Sequence, residues 1–302
     1  MLKKERNENI LIIGANGFTG RRILNDLSVN PIYHVTGCSL RDDICPGKDY
    51  RFVRTDIRDE NEVRKLFKEC RPDIVINTSA LSVPDYCETH HAEAEATNVT
   101  AVETIAHVCE QYGSRFIHLS TDFVFDGKST RLYKEEDEAI PVNYYGVTKL
   151  KAEKIIASIC SNYAIVRVVV VYGKALPGQH GNILQLVANR LRNGETIRVV
   201  SDQWRTPTFV GDISVGVEKL MFHTANGIYH ICGSECLTIA EIAYRVADFL
   251  KLDRSLIEPV TTEEMKETTP RPRFSGLSIE KAKAEIGYTP RTLEEGMEAS
   301  LF

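Results

Sequence analysis

The chain has no uninterrupted apolar run of eighteen residues, the length a helix needs to cross a bilayer, and its charged opening from Met1 to Asn9 has no apolar core of the kind that directs secretion. Those absences lead us to expect a soluble protein of the cytoplasm that does not bind a membrane. An excess of basic charge is also lacking: 37 Lys and Arg face 42 Asp and Glu, for a formal net charge of −5. That balance argues against a general nucleic-acid surface, while a pocket for one small anion remains compatible with it. There is no Cys-x-x-Cys pair. The eight cysteines, at 38, 45, 70, 87, 109, 160, 232 and 236, have no histidines near them at zinc-binding spacing. No metal site is therefore assigned, and the thiols are expected to be reduced and mostly buried, including the nearest pair, Cys232 and Cys236. No internal repeat occurs. What the chain does have is 302 residues with 43% apolar content, enough for one catalytic unit of two intimately joined lobes.

Apolar strand-like runs alternate with amphipathic segments, which predicts an α/β fold with a doubly wound parallel sheet. Strands are expected at Asn9 to Ile13, Tyr33 to Leu40, Tyr50 to Arg54, Asp73 to Asn77, Arg115 to Ser120 and Tyr163 to Tyr172. Helices are expected from the first turn to Ser28, then at Glu60 to Cys70, His91 to Tyr112, Tyr144 to Ile159, Asn182 to Asn193 and Ile239 to Leu250. Gly227 to Cys232 reads as a strand returning to the first sheet, and Thr261 to Thr269 as a polar loop. The expected division is a nucleotide-binding lobe over 1–172, to which 209–232 returns, and a smaller interleaved substrate-binding lobe over 173–208 and 233–302. Leu301-Phe302 reads as the interior of a helix, which leaves a missing terminus open.

Directly after the first strand comes Gly14-Ala15-Asn16-Gly17-Phe18-Thr19-Gly20. Gly14 allows a tight turn, Gly17 lets the backbone approach a pyrophosphate, Gly20 permits close packing, and the helix that follows offers unpaired N–H groups to the anion. Further along, Tyr145 and Lys149 stand four residues apart, on one face of a helix. An ammonium beside the phenol would lower its pKa from about 10 toward neutrality and let it exchange a proton. Thr121 directly follows the strand expected at Arg115 to Ser120 and supplies a hydroxyl.

The spacing Gly-x-x-Gly-x-x-Gly resembles the extended branch of the short-chain dehydrogenase/reductase superfamily, which implies a Rossmann-type fold. Where an acidic residue would hold a ribose diol, the chain reads Cys38-Ser39-Leu40-Arg41. A hydroxyl and a guanidinium suit a 2′-phosphate, so NADP(H) is preferred, and the following Asp42 and Asp43 leave NAD(H) open. A solvated loop charge is the competing account of Arg41. By the same resemblance, Asp56 and Ile57 contact adenine, while Asn77 and Ala80 form the nicotinamide-ribose wall.

The run Ser120-Thr121-Asp122-Phe123-Val124-Phe125-Asp126-Gly127 narrows the resemblance to the dTDP-4-dehydrorhamnose reductase family. Asp202-Gln203-Trp204-Arg205-Thr206-Pro207-Thr208 and Arg271-Pro272-Arg273-Phe274-Ser275-Gly276-Leu277 extend it over nearly the whole chain. What this implies is NADPH-dependent reduction of the 4-keto group of a nucleotide-linked 6-deoxyhexose, with dTDP-4-dehydrorhamnose to dTDP-rhamnose the leading pair. Thr121, Tyr145 and Lys149 would be catalytic. Ser82, Asp122, Phe123, Val124, Trp204 and Arg271 would meet the nucleotide sugar, with Asp122 open to a purely structural role and Trp204 to ordinary packing. Asp212 is read as a support for the second lobe.

Related 4,6-dehydratases carry Thr-Asp-Glu, and Phe123 replaces that glutamate here, so the base for dehydration is missing. Two alternatives stay open: a cofactor-retaining epimerase or dehydratase, and a regulatory nucleotide-binding protein like the beta subunit of methionine adenosyltransferase, which resembles the same family. Leu81, Pro84 and Trp204-Arg205-Thr206 depart from the reductase pattern and leave the sugar and nucleotide open. So are a homodimer and a requirement for Mg²⁺.

Overall fold

In the computed structural model, which describes residues 8–46, 49–179 and 181–300, seven strands join in one parallel sheet. They are β1 (Glu8–Ile13), β2 (Tyr33–Ser39), β3 (Arg51–Arg54), β4 (Ile74–Asn77), β5 (Arg115–Thr121), β6 (Tyr163–Val168) and the returning strand Gly227–His230. Their spatial order is Gly227–His230, β6, β5, β4, β1, β2, β3. The chain winds outward to β3 on one side of β1 and to β6 on the other, so its direction reverses between β1 and β4. Loops leaving the C-terminal ends of those two strands diverge and open a crevice.

Alternate residues of β1 serve opposite faces. Ile10 and Ile12 enter one apolar cluster with Ile23, Leu24, Ile76 and Ile117, whereas Leu11 and Ile13 enter another with Val63, Phe67, Val75 and Ile105. Burial on both faces explains why the strand sequences are continuously apolar. Helices α1 (Phe18–Ser28), α2 (Glu60–Cys70), α3 (Pro84–Thr89), α4 (His91–Glu95), α5 (Ala101–Tyr112) and α6 (Tyr144–Ile159) flank this sheet or edge its crevice. α2 starts where the Asp59 carboxylate accepts from the N–H groups of Asn61 and Glu62, and it ends at Arg71, whose φ of 43° breaks the helix. α6 starts on Asn143, whose side chain accepts from Gly146 N–H.

A third apolar cluster lies between the helices Ile183–Arg192 and Ile239–Leu250, with Leu184, Val187, Ala243 and Val246 at its centre. A short parallel pair, Ile197–Val200 with Ile257–Val260, covers it. Five cysteines are buried and the other three half-buried, all as free thiols.

Three expectations about elements need correction. The run Tyr163 to Tyr172 is not one strand: Val170 has a φ of 37°, and Val171–Tyr172 leaves the main sheet to pair with Thr208–Phe209. Helical structure from His91 to Tyr112 is interrupted at Ala96–Thr100 by a wider π-helical turn. Within the expected loop Thr261 to Thr269, Thr262–Met265 forms one helical turn, capped by Thr261. Leu301 and Phe302 lie outside the described residues. Among the described residues, no helix is long and apolar enough to cross a membrane.

Candidate active site

The crevice is a cleft of about 660 Å³. Its floor is the glycine turn, with Gly14, Asn16, Gly17, Phe18, Thr19 and Gly20 all on the wall. Gly14 has a φ of 81°, and the Gly14 and Ala15 N–H groups both donate to Cys38 O, at 3.0 and 2.9 Å. A Cβ on Gly20 would lie 2.3 Å from Gly14 O and 2.5 Å from Thr78 Oγ1, so only glycine fits. α1 has no side-chain cap at Gly17, and an uncapped first turn leaves N–H groups for an anion.

Ser39, Asp56, Ile57, Ala80 and Ser82 also line the cleft. Asp56 is paired with Arg58, Nη2 to Oδ2 at 2.6 Å, and Arg58 joins the wall. Arg41 is not on the wall; its carbonyl and that of Asp42 accept from Asn16 Nδ2 at 3.2 and 2.9 Å, which ties their loop to the glycine turn. Buried Arg21 donates to Asn16 Oδ1, to Asp43 and to Tyr50. Asp43 is thereby engaged within the protein.

Asn77 departs from its expected place. It is fully buried, its Oδ1 accepts from the Ser79 N–H at 3.0 Å and the Ser79 hydroxyl at 2.6 Å, and its Nδ2 meets His118 Nδ1 at 3.1 Å. The wall at that point is made by Thr78, Ser79 and Ala80 instead.

Tyr145 and Lys149 face the cleft from α6, and Thr121 lies one residue beyond the wall residue Ser120. The Thr121 hydroxyl donates to Asp122 Oδ1 at 3.1 Å and accepts from Phe123 N–H. The expected lowering of the phenol pKa is reversed: burial raises Tyr145 above its ordinary value, and a hydrogen bond with the Thr121 side chain opposes that rise only in part. Lys149 Nζ is turned toward His118 Nε2 at 2.9 Å and Leu119 O at 2.7 Å. Burial also lowers its pKa to about 8.

The expected substrate residues divide into two groups. Ser82 is on the wall, and Phe123 packs edge-on against Tyr145 with ring centroids 6.0 Å apart. Val124, in contrast, is wholly buried in the main apolar cluster and reaches no cleft. Asp122 is buried in a network, accepting from Thr121 and Ser275, with Arg205 Nε 3.7 Å away. Burial pushes its carboxyl up, and these partners oppose the rise. The structural reading of Asp122 thus fits. Trp204 is 38% exposed and lies outside the cleft, on a two-residue strand paired with Leu237–Thr238. Arg271 is half-buried and spans Asp85 and Glu267, each 3.4 Å away, with its Nε buried and unpaired.

Several residues that serve the site escaped the sequence reading. Asn98, buried in the π-helical turn, accepts from Leu81 N–H at 2.8 Å and donates to Leu81 O and Thr148 Oγ1 at 3.0 Å each. It pins the wall segment to α6. Arg205 donates to Pro272 O at 2.8 Å and to Gln203, tying the Arg271 segment to the Asp122 network. Glu153, one turn after Lys149, pairs with buried Arg167 and accepts from Ser120. Among the described residues no cluster of three or more His, Cys, Asp or Glu could hold a metal ion.

The family model described as RmlD substrate binding domain matches residues 8–301. The chain belongs to that family. RmlD-like proteins form a family of NAD(P)-dependent sugar-nucleotide reductases. Relatives of this RmlD-family chain include the probable low-salt glycan biosynthesis reductase Agl14 of Haloferax volcanii, 30% identical, with 95% of each chain covered. The methionine adenosyltransferase 2 subunit beta of Xenopus laevis is 31% identical over 93% of this chain and 83% of its own length. In structure, this RmlD-family chain is similar to the dTDP-4-dehydrorhamnose reductase of Bacillus anthracis in complex with NADP, with a TM-score of 0.85 and 26% identity over 98% of this chain and 99% of that one.

Proposed function

We propose that this protein uses NADPH to reduce the 4-keto group of a nucleotide-linked 6-deoxyhexose, with dTDP-4-dehydrorhamnose to dTDP-rhamnose as the leading pair. The observation that supports this most is the meeting of Tyr145 and Lys149 with the glycine turn on one cleft wall, with Thr121 next to the wall residue Ser120. The cleft fits a dinucleotide: it joins an uncapped helix end to the adenine-side residues Ser39, Asp56 and Ile57. Gly14 to Gly20 would cradle the pyrophosphate, and Ser39 would meet a 2′-phosphate with Arg41 reaching in from the loop edge. When bound, the reduced nicotinamide supplies the hydride.

Tyr145 is the proton donor to the developing alkoxide, and Thr121 hydrogen-bonds the same oxygen. Lys149 orients the cofactor ribose. Ser82 and Phe123 are placed to meet the sugar, and Arg271 to exchange its carboxylate partners for a diphosphate. On this reading residues 1–172 and 209–232 form the nucleotide-binding lobe, and 173–208 with 233–302 the substrate lobe. Mixing the protein with NADPH and dTDP-4-keto-6-deoxyhexoses should give stoichiometric loss of reduced-nicotinamide absorbance. Product without net cofactor consumption would instead indicate epimerisation or dehydration.

A second reading draws on the Xenopus relative, which is named as a subunit of another enzyme. It requires a stable complex with a second polypeptide and no turnover of any 4-ketosugar nucleotide. Co-purification from the native cell together with the same absorbance assay separates the two.

A further inference from the structure

The backbone N–H of Ser79 sets the direction of a series of hydrogen bonds that ends on Lys149. It donates to Asn77 Oδ1, and a main-chain amide nitrogen cannot exchange that role for acceptance. With its oxygen so held, Asn77 presents Nδ2 to His118 Nδ1 at 3.1 Å. A side-chain NH₂ only donates, so Nδ1 accepts and carries no proton. His118 is fully buried and neutral, because burial holds its pKa well below the usual value. Its single proton therefore sits on Nε2, which lies 2.9 Å from Lys149 Nζ. Two donors cannot share that contact.

We infer that Ser79, Asn77 and His118 form a one-way hydrogen-bond relay that favours the neutral amine of Lys149 over its ammonium, which makes His118 a positioning residue for Lys149. The amine nitrogen accepts from His118 and donates to Leu119 O at 2.7 Å, which leaves one N–H for the cleft. Of the other groups around Lys149, the Glu153 carboxylate favours an ammonium, but less than burial disfavours it. Glu153, one turn later on α6, is held by Arg167 from β6 and by Ser120 from β5. Tyr145, one turn earlier, is a protonated phenol, and β4 contributes the uncharged Asn77. The lowering of the Lys149 pKa by burial acts in the same direction. Protonating Nζ from solvent would require His118 to move its proton to Nδ1 and Asn77 to rotate its amide, which would strand the Ser79 N–H.

This relay rests on the proposed reductase only for its use, since the hydrogen bonds stand without turnover. The test is ¹⁵N NMR of the whole, cofactor-free protein, with the His118 signals identified by their loss in His118→Gln. Unprotonated Nδ1 and protonated Nε2 near neutral pH are expected; the opposite tautomer or an imidazolium would overturn the relay. In Asn77→Asp the new carboxylate accepts from Nδ1–H and frees Nε2 to accept from Lys149. Its Nζ titration, followed by the ¹⁵N signal lost in Lys149→Met, should then move upward by about one pH unit or more. An unchanged midpoint in folded Asn77→Asp would also overturn it. An inactive protein with the expected tautomer would remove the reductase reading and leave the relay intact.

Discussion

Tyr145 sits in surroundings that work against its ionisation: burial raises its pKa, and Thr121 opposes that only in part. A phenol of this kind is suited to giving up a proton as negative charge develops on a bound substrate, and general acid catalysis of that sort contributes about 10²- to 10⁴-fold. Tyr145→Phe should therefore lower kcat by at least about 100-fold. Cofactor affinity, measured by fluorescence titration, should remain within about twofold, because the ring and its packing against Phe123 are kept. Undiminished turnover would remove Tyr145 from the reaction. Among single residues, those whose chemistry lies in a short contiguous motif were legible from sequence: Gly14 to Gly20, and the i, i+4 pair Tyr145 and Lys149. Asn98 and His118 were not, because their partners Thr148 and Lys149 lie 50 and 31 residues away and meet them only once the sheet has formed. Val124 shows the opposite limit, since membership of a motif does not say which side of a turn a side chain takes.

At the scale of elements, the π-helical turn Ala96–Thr100 joins α4 to α5 and presents Asn98 to the wall segment. Asn98→Ala would leave the half-buried Leu81 N–H without a partner and its C=O with only the Cys87 thiol, at a cost of about 1–3 kcal/mol per unsatisfied group. Because Leu81 sits between Ala80 and Ser82, a rise in KM should accompany the fall in Tm; substrate titration and thermal melts of the same variant test both. A variant with lower Tm but unaltered KM would confine Asn98 to stability. Strand and helix identities were mostly legible because α2 and Ile239–Leu250 carry both periodicity and end signals. The break after Val168 was hidden because the run to Tyr172 stays apolar throughout. Its cause lies elsewhere in the chain, where Thr208 donates through N–H to Val170 O at 3.1 Å and through Oγ1 to Val169 O at 2.7 Å. No local pattern could report that contact.

At the scale of the whole molecule, buried or half-buried polar contacts join segments far apart in the chain. Arg205 links the Asp122 turn to Pro272, and Arg291 pairs with Asp212 and donates its backbone N–H to it at 2.8 Å. Asp212 thus anchors the segment around Arg291. Stability against acid follows from the buried histidines. His230 is lowered to about 3, first by burial and then by Arg167, and burial also lowers His118. The unfolded chain binds protons at these residues below about pH 6.5 while the folded chain does not, so stability falls as pH drops through that range. Each histidine adds a slope of about 1.4 kcal/mol per pH unit, and for His230 the loss levels off near pH 3. Denaturant melts from neutral to acid pH should show this slope, and His230→Gln should reduce it by about one proton's worth. An unaltered slope would mean that His230 does not titrate on unfolding.

The return of Gly227–His230 to β6 also affects how the protein is made. While the ribosome has delivered β6 but not yet Gly227, the nascent chain carries a bare row of amide and carbonyl groups along Tyr163–Val168. Such an edge is a template for pairing with neighbouring polypeptides on a polysome. Chains stopped after Leu220 should therefore sediment as aggregates, while chains stopped after Cys232, with that edge covered, should do so less.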